Sequence, residues 1–139
     1  MNTLKNINAA LLLAYQGIRD PDLPTAYEAK DFTPPASAPW ARVLNVPADK
    51  YVQSLGDAGE DNVTGFFQID YFVPENDGTG RLLGYADATI SYFSNGRRFY
   101  YAGQEVKVRR TSLSQIRRDD ASASFRITLS IYWDAPSSR

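Results

Sequence analysis

The stretch "VTGFFQIDYFVPENDGTGRLLGYADATISYF", Val63–Phe93, decides how this chain is read, because two periodicities meet in it around a glycine loop. Its first ten residues alternate as a strand does. Val63, Gly65, Phe67, Ile69 and Tyr71 share one side; Thr64, Phe66, Gln68, Asp70 and Phe72 share the other. A sheet covered on one side only has a polar outer face. Phe66 and Phe72 therefore predict a cover for the second face, from another element or another subunit. After the loop the spacing becomes helical. Leu82, Leu83, Ala86, Ile90 and Phe93 form an apolar stripe, while Arg81, Asp87 and Ser91 point away. Ser94-Asn95-Gly96 ends this helix, with Gly96 suited to a left-handed cap.

A glycine loop between strand and helix is where many proteins hold a phosphate, but this one fails both tests. A Walker loop closes on Gly-Lys-Ser/Thr, and here Gly80 is followed by Arg81-Leu82. A dinucleotide fingerprint needs a third glycine at the position of Leu83. The loop reads as a turn at Asn76-Asp77-Gly78, with Asp77 or Thr79 as helix cap.

Outward from this centre, Leu4, Ile7, Leu11, Ala14, Tyr15 and Ile18 give an N-terminal helix that Asp20-Pro21 ends. Residues 21–39 are proline-rich and read as a sheet edge or surface arm, with a short edge strand at Thr25–Glu28. Trp40–Val46 reads as a strand and residues 47–62 as a long polar loop. Arg98–Tyr101 and Glu105–Thr111 form a hairpin around Ala102-Gly103-Gln104. Leu113–Asp120 reads as a basic-then-acidic loop. Ala123–Trp133 is a strand with Phe125, Ile127, Leu129, Ile131 and Trp133 facing in, and residues 134–139 read as a tail. The expected fold is a single α+β domain over 1–139: a mostly antiparallel or mixed sheet with two helices packed on one face.

The chain has 139 residues, of which 43% are hydrophobic, enough to bury a core without disulfides. It contains neither cysteine nor histidine. That excludes thiol nucleophiles, Cys/His zinc sites, disulfides and histidine-based triads, and the expectation is a protein that is no enzyme, with no cofactor and no metal. No apolar run is long enough to span a bilayer, so no membrane partner is expected. The N-terminus lacks the pattern of a signal peptide, which suggests synthesis in the cytoplasm.

Net charge is −1 but unevenly spread. Asn95–Arg118 carries seven cations against Glu105 alone, a local +6, and the rest of the chain nets −7. Such a split favours pairing between copies or with a partner. Arg97, Arg98, Lys107, Arg109 and Arg110 interleave with Phe99, Tyr100 and Tyr101, which also suits a stacking platform for nucleic acid. A small nucleic-acid-binding module built on the basic hairpin 97–110 is therefore the alternative function.

Read in order, "LPTAYEAKDFTPP", "PWARVLNVPA", "SLGDAGEDNVTGFFQIDYFVPENDGTG", "YADATISYFSNG", "VKVRR" and "SFRITLSIYW" resemble the phage tail-terminator (tail completion) family, related to minor tail protein U of long-tailed phages. The resemblance runs from the first helix to Trp133 and is most specific at Phe32-Thr33-Pro34-Pro35, Leu55-Gly56-Asp57 and Gly65–Gly80. It implies a structural virion protein that forms a ring, typically a homohexamer. The ring would cap the tail tube, stop its polymerisation and provide the surface for head–neck attachment at the neck-proximal end of the virion tail. The implied partners are the tail tube protein and the head–tail connector or neck protein, with DNA passing through the lumen without specific binding. The candidate subunit and tube contacts are Leu55, Gly56, Asp57, Phe66, Phe72, Arg97, Arg98, Arg109, Arg110, Arg117 and Arg118; the roles given to the arginines come from their chemistry, not from the resemblance.

Overall fold

The computed structural model describes residues 2–52, 55–56, 59–121 and 123–138. Its central strand is the run that opened the sequence: β3, Glu60–Pro74. β3 pairs antiparallel with β2 (Trp40–Val52) on one side and with β7 (Ser124–Ser138) on the other. The sheet widens on both flanks. β1 (Thr25–Ala26) joins β2 in parallel, and β5 (Gln104–Leu113) joins β7, with β4 (Arg98–Tyr101) outside it. The order is β1-β2-β3-β7-β5-β4, and β6 (Arg117–Asp119) pairs separately with β7. The chain is a single α+β domain with a mixed seven-stranded sheet, as the alternation of strand and helix patterns predicts.

Helices α1 (Thr3–Ile18) and α2 (Gly80–Tyr92) cover the inward face. Ile7, Leu11 and Tyr15 of α1 and Leu82 and Ala86 of α2 are buried in one cluster with Val43, Phe67, Ile69, Val108, Leu129, Ile131 and Trp133 of the sheet. One tyrosine ties each helix system down. Tyr71 Oη lies 2.7 Å from Thr89 Oγ1 of α2, and Tyr15 Oη lies 2.7 Å from Thr25 Oγ1 of β1. The helical stripe of α2 is narrower than its sequence suggests. Thr89 is buried in it, while Leu83 and Ile90 face outward, 47% and 36% exposed. Leu4 likewise lies outside the core.

The glycine loop is a turn. Asn76 and Gly78 adopt positive φ, Asp77 pairs with Arg81 at 3.4 Å, and α2 starts without a side-chain cap. The 98–111 hairpin turns tightly through Ala102 and Gly103, both at positive φ, which matches a type I′ turn.

Residues 47–62, expected as a long loop, are mostly strand. β2 runs to Val52 and β3 begins at Glu60, with the two strands paired from Pro47 to Asp61. The polar composition misleads because β2 is exposed from Pro47 to Val52 and needs no apolar alternation there. Pro47, which has no N–H, sits at a register shift between Pro47 and Asp49, where the ladder is already interrupted. Residues 134–138 of the expected tail also belong to β7 and pair with Glu60–Thr64. Ala135 and Ser137 are buried there, Ser137 beside Thr3 of α1. Part of the expected 113–120 loop forms β6.

Gly65 is a packing requirement. A Cβ on it would lie 2.5 Å from Val46 O, 2.6 Å from Trp133 Cζ2 and 2.9 Å from Pro47 Cα. The missing side chain lets the Trp133 indole cross β3 and donate to Asn45 Oδ1 at 3.0 Å. We expect Gly65→Ala to cost about 1–3 kcal/mol by overpacking. Gly84→Ala, in α2 with open space around its Cβ, should instead stabilise by about 0.5–1 kcal/mol. Urea unfolding of the two variants beside the parent checks both signs. Burial raises the Tyr15 hydroxyl above the ordinary tyrosine range and pushes Tyr71 up to about 12, the bonds to Thr25 and Thr89 partly opposing it. Both rings are favoured in the neutral form by the fold. Their contribution is complete below pH ~10 and falls as pH rises through the folded values, so the unfolding midpoint should drop above pH 10. Tyr71→Phe should reduce that drop.

Candidate functional site

The candidate contact residues fall into separate regions. Leu55 and Gly56 lie at the tip of the β2–β3 hairpin, Leu55 90% exposed and Gly56 at φ 98°. Asp57 lies outside the described residues. Phe66 is half-buried on the outer face of the sheet, its ring 5.8 Å from that of Tyr132. Phe72 is not a surface residue. Its ring is fully buried, stacked at 3.9 Å on Trp40, which in turn meets Phe32 at 5.4 Å. The chain supplies its own cover here: the proline-rich arm brings Phe32 back over the outer face. Phe72 is therefore corrected from contact residue to core.

The arginines are individually engaged. Arg97 donates to the Tyr92 carbonyl at 2.8 Å and lies over the Tyr92 and Phe99 rings. Arg98 pairs with Glu105 at 2.9 Å, and Arg109 with Asp134 at 3.4 Å. Arg110 stacks over Tyr132, its guanidinium carbon 3.9 Å from the ring centre. Arg118 bridges Glu75 at 2.6 Å and Asp120 at 3.1 Å. Arg117 stands opposite Arg126 across the β6–β7 ladder. These pairs are exposed and contribute little each to stability. Together they hold the basic side chains in fixed positions and offset part of the +6 charge locally, which a dedicated polyanion platform would leave open.

A buried polar cluster on the outer face was not legible as a site. Asp70 is fully buried on the outer face, where its carboxylate accepts from Arg42 Nε at 3.0 Å and Nη2 at 2.8 Å, from Gln68 Nε2 at 3.1 Å and from Thr128 Oγ1. Arg42 also lies over the Phe72 ring at 5.3 Å. Only the register Arg42↔Asp70↔Thr128 brings these residues together. The polar signature at Gln68 and Asp70 was visible in the sequence, but their partners lie 28 and 58 residues away from Asp70. The cluster braces β2, β3 and β7 from outside. Among the described residues there is no group of His, Cys, Asp or Glu side chains arranged to hold a metal ion.

This arrangement belongs to a structural domain: a rigid braced sheet that presents fixed charges, aromatic stacks and a projecting apolar tip. A family model described as phage tail terminator protein matches residues 6–133, and the chain belongs to that family. It is thus a structural protein of phage tail completion, a component of the virion tail from a family that is not enzymatic, whose partners are tail and head–neck proteins. A solved structure is similar to it, with a TM-score of 0.71 and 26% identity over 93% of this chain and 92% of that one. No curated protein matches the chain.

Removing Arg42 takes two donors from the buried Asp70 carboxylate and leaves it those of Gln68 and Thr128. Because the Arg42 side chain is 41% exposed, we expect Arg42→Ala to cost about 1–3 kcal/mol rather than the full penalty of a stranded charge. Arg109→Ala, at an exposed pair, should cost about 0–1 kcal/mol. Chemical denaturation of both variants measures the difference.

Proposed function

We propose that this chain is the subunit of a ring, six-fold by resemblance to minor tail protein U, that caps the tail tube and halts its growth. The ring sits at the neck-proximal end and gives the head–neck connector its docking surface. Its lumen passes DNA without sequence-specific contacts, and its subunits are made in the host cytoplasm. The observation that carries this reading is the family match across residues 6–133. The asymmetry of the surface supports it: an acidic segment with an exposed apolar tip at one place and the basic 95–118 segment at another. Unlike surfaces on one chain favour head-to-tail contacts, which close into rings when the rotation permits.

Within this reading Leu55 and Gly56 belong to the tip of the β2–β3 hairpin, Arg97, Arg98, Arg109, Arg110, Arg117 and Arg118 line contact surfaces, and Phe66 lies near Arg109 and Arg110; Asp57 is a contact candidate from the sequence alone. The alternative of a nucleic-acid module on the basic hairpin draws less support, because Arg97, Arg98, Arg109 and Arg110 all have partners within the chain.

The test is to deplete the chain from an assembling phage and restore it. Depletion should yield tail tubes that overrun their normal length and fail to join heads, and added wild-type chain should restore uniform tails in electron micrographs. Tails of normal length that join heads without the chain would overturn the reading.

A further inference from the structure

We propose that the β2–β3 hairpin tip of one copy docks into the notch between the C-terminal end of α2 and the open edge of β5 on a second copy. This rests on the ring reading above and names its contact.

The notch has a volume of about 370 Å³ and is lined by Ile90, Ser94, Asn95, Arg110, Thr111 and Leu113. Three features mark it as unfinished within one chain. Ile90 and Leu113 are apolar yet 36% and 48% exposed. Thr111 Oγ1 is buried but has no hydrogen-bond partner among the described residues, a state that normally calls for one. β4 covers β5 only over Gln104–Lys107, and the 96–97 segment adds bonds at Val108. Beyond Val108, the β5 edge facing away from β7 has no strand partner among the described residues, and such an edge is a template for added backbone.

The tip has the complementary chemistry. Tyr51, Val52 and Leu55 are 48%, 56% and 90% exposed. Segment 47–62 carries Asp49, Asp57, Glu60 and Asp61 against Lys50, a net −3, opposite the +6 of segment 95–118. Opposite potentials of this kind steer and register a contact. A chain cannot fill its own notch. Leu113 aligns with Leu129 and thence with Ile69 of β3, whereas the tip leaves β3 at its other end, near Asp61. Eight residues of strand separate those levels, roughly 26 Å at ~3.3 Å per residue. The contact is therefore between copies and head-to-tail. In it Leu55 seats against Ile90 and Leu113, the acidic flank of the tip faces Arg110, and the tip's polar groups reach the Thr111 hydroxyl.

The experiment uses the full chain with Leu55→Asp, which spoils the tip, and Leu113→Asp, which spoils the notch. Oligomer mass is measured by native mass spectrometry with and without tail tube protein, alongside thermal melting. Each variant alone should need about tenfold more protein, or worse, to assemble, as loss of a buried anchor predicts. Mixed in equal amounts they should form a one-to-one dimer that grows no further, since Leu55→Asp keeps its notch and Leu113→Asp keeps its tip. If either variant melts early, Leu55→Ser and Ile90→Ser replace the pair with milder changes at exposed positions. Variants that assemble as the parent does, or a mixture that stays monomeric, overturn the contact while leaving the ring reading intact. A parent chain that stays monomeric with and without tube protein overturns both.

Discussion

The passage of the Trp133 indole across Gly65 to Asn45 is the constraint on which the sheet depends. Trp133 on β7 and Asn45 on β2 flank β3, so one side chain clamps three strands. The clamp works only because position 65 has no Cβ. The registers of β2 and β5 both shift near this level, between Pro47 and Asp49 and between Val108 and Arg110. Bulges bend a strand and increase its twist. The sheet therefore changes course where the tryptophan crosses it, and what lies beyond, the projecting β2–β3 arm, is aimed by that bend.

The outer face carries a second brace at another level. Asp70, buried among Arg42, Gln68 and Thr128, holds the same three strands from the side the helices do not cover. Beyond this brace, on the side away from Trp133, Trp40 stacks on Phe72 and Arg42 covers the Phe72 ring. A buried ion pair contributes little net stability against an apolar alternative. Its geometry, however, admits only one alignment of β2 against β3 and β7, because a one-residue slip would turn Asp70 into the core and Ile69 out of it. The outward face is thus fixed in register as firmly as the inward one, which suits a protein whose outer surfaces make contacts.

What the sequence makes legible follows from where water is. Val63–Phe72 and Ile127–Trp133 lie against the core, so burial imposes alternation and both can be read directly, whereas Phe125, expected to face in, is 37% exposed near the start of β7. α1 and α2 show their stripes for the same reason. The strand end at 47–52 is exposed, so no alternation marks it, while at 134–137 burial does alternate but falls on the small Ala135 and Ser137 rather than on large apolar side chains, so proline and polar content imitates a loop and a tail. Phe72 shows the converse limit. Its placement on the outer face was readable, but its cover comes from Phe32 and Trp40 through an arm whose path no local pattern encodes. The Asp70 cluster was illegible for a related reason: period two places a residue on a face, while only pairing register names its neighbours.

The distribution of charge now has a structural meaning. A basic segment in a chain of net charge −1 could be a free cationic surface or a set of fixed pairs, and composition cannot distinguish them. Arg98, Arg109 and Arg118 hold acidic partners, and Arg97 and Arg110 lie on aromatic rings, so their side chains are already ordered. Ordering long side chains in advance lowers the entropy that a later contact must overcome. Pre-set cations at the β5 edge and an acidic, apolar-tipped hairpin about a sheet's length away make two rigid and unlike surfaces on one body. Bodies of that kind associate head-to-tail rather than face-to-face, and the bend at Gly65 and Trp133 sets the angle between the two surfaces. In the ring proposed for this chain, that angle would set how many copies close it.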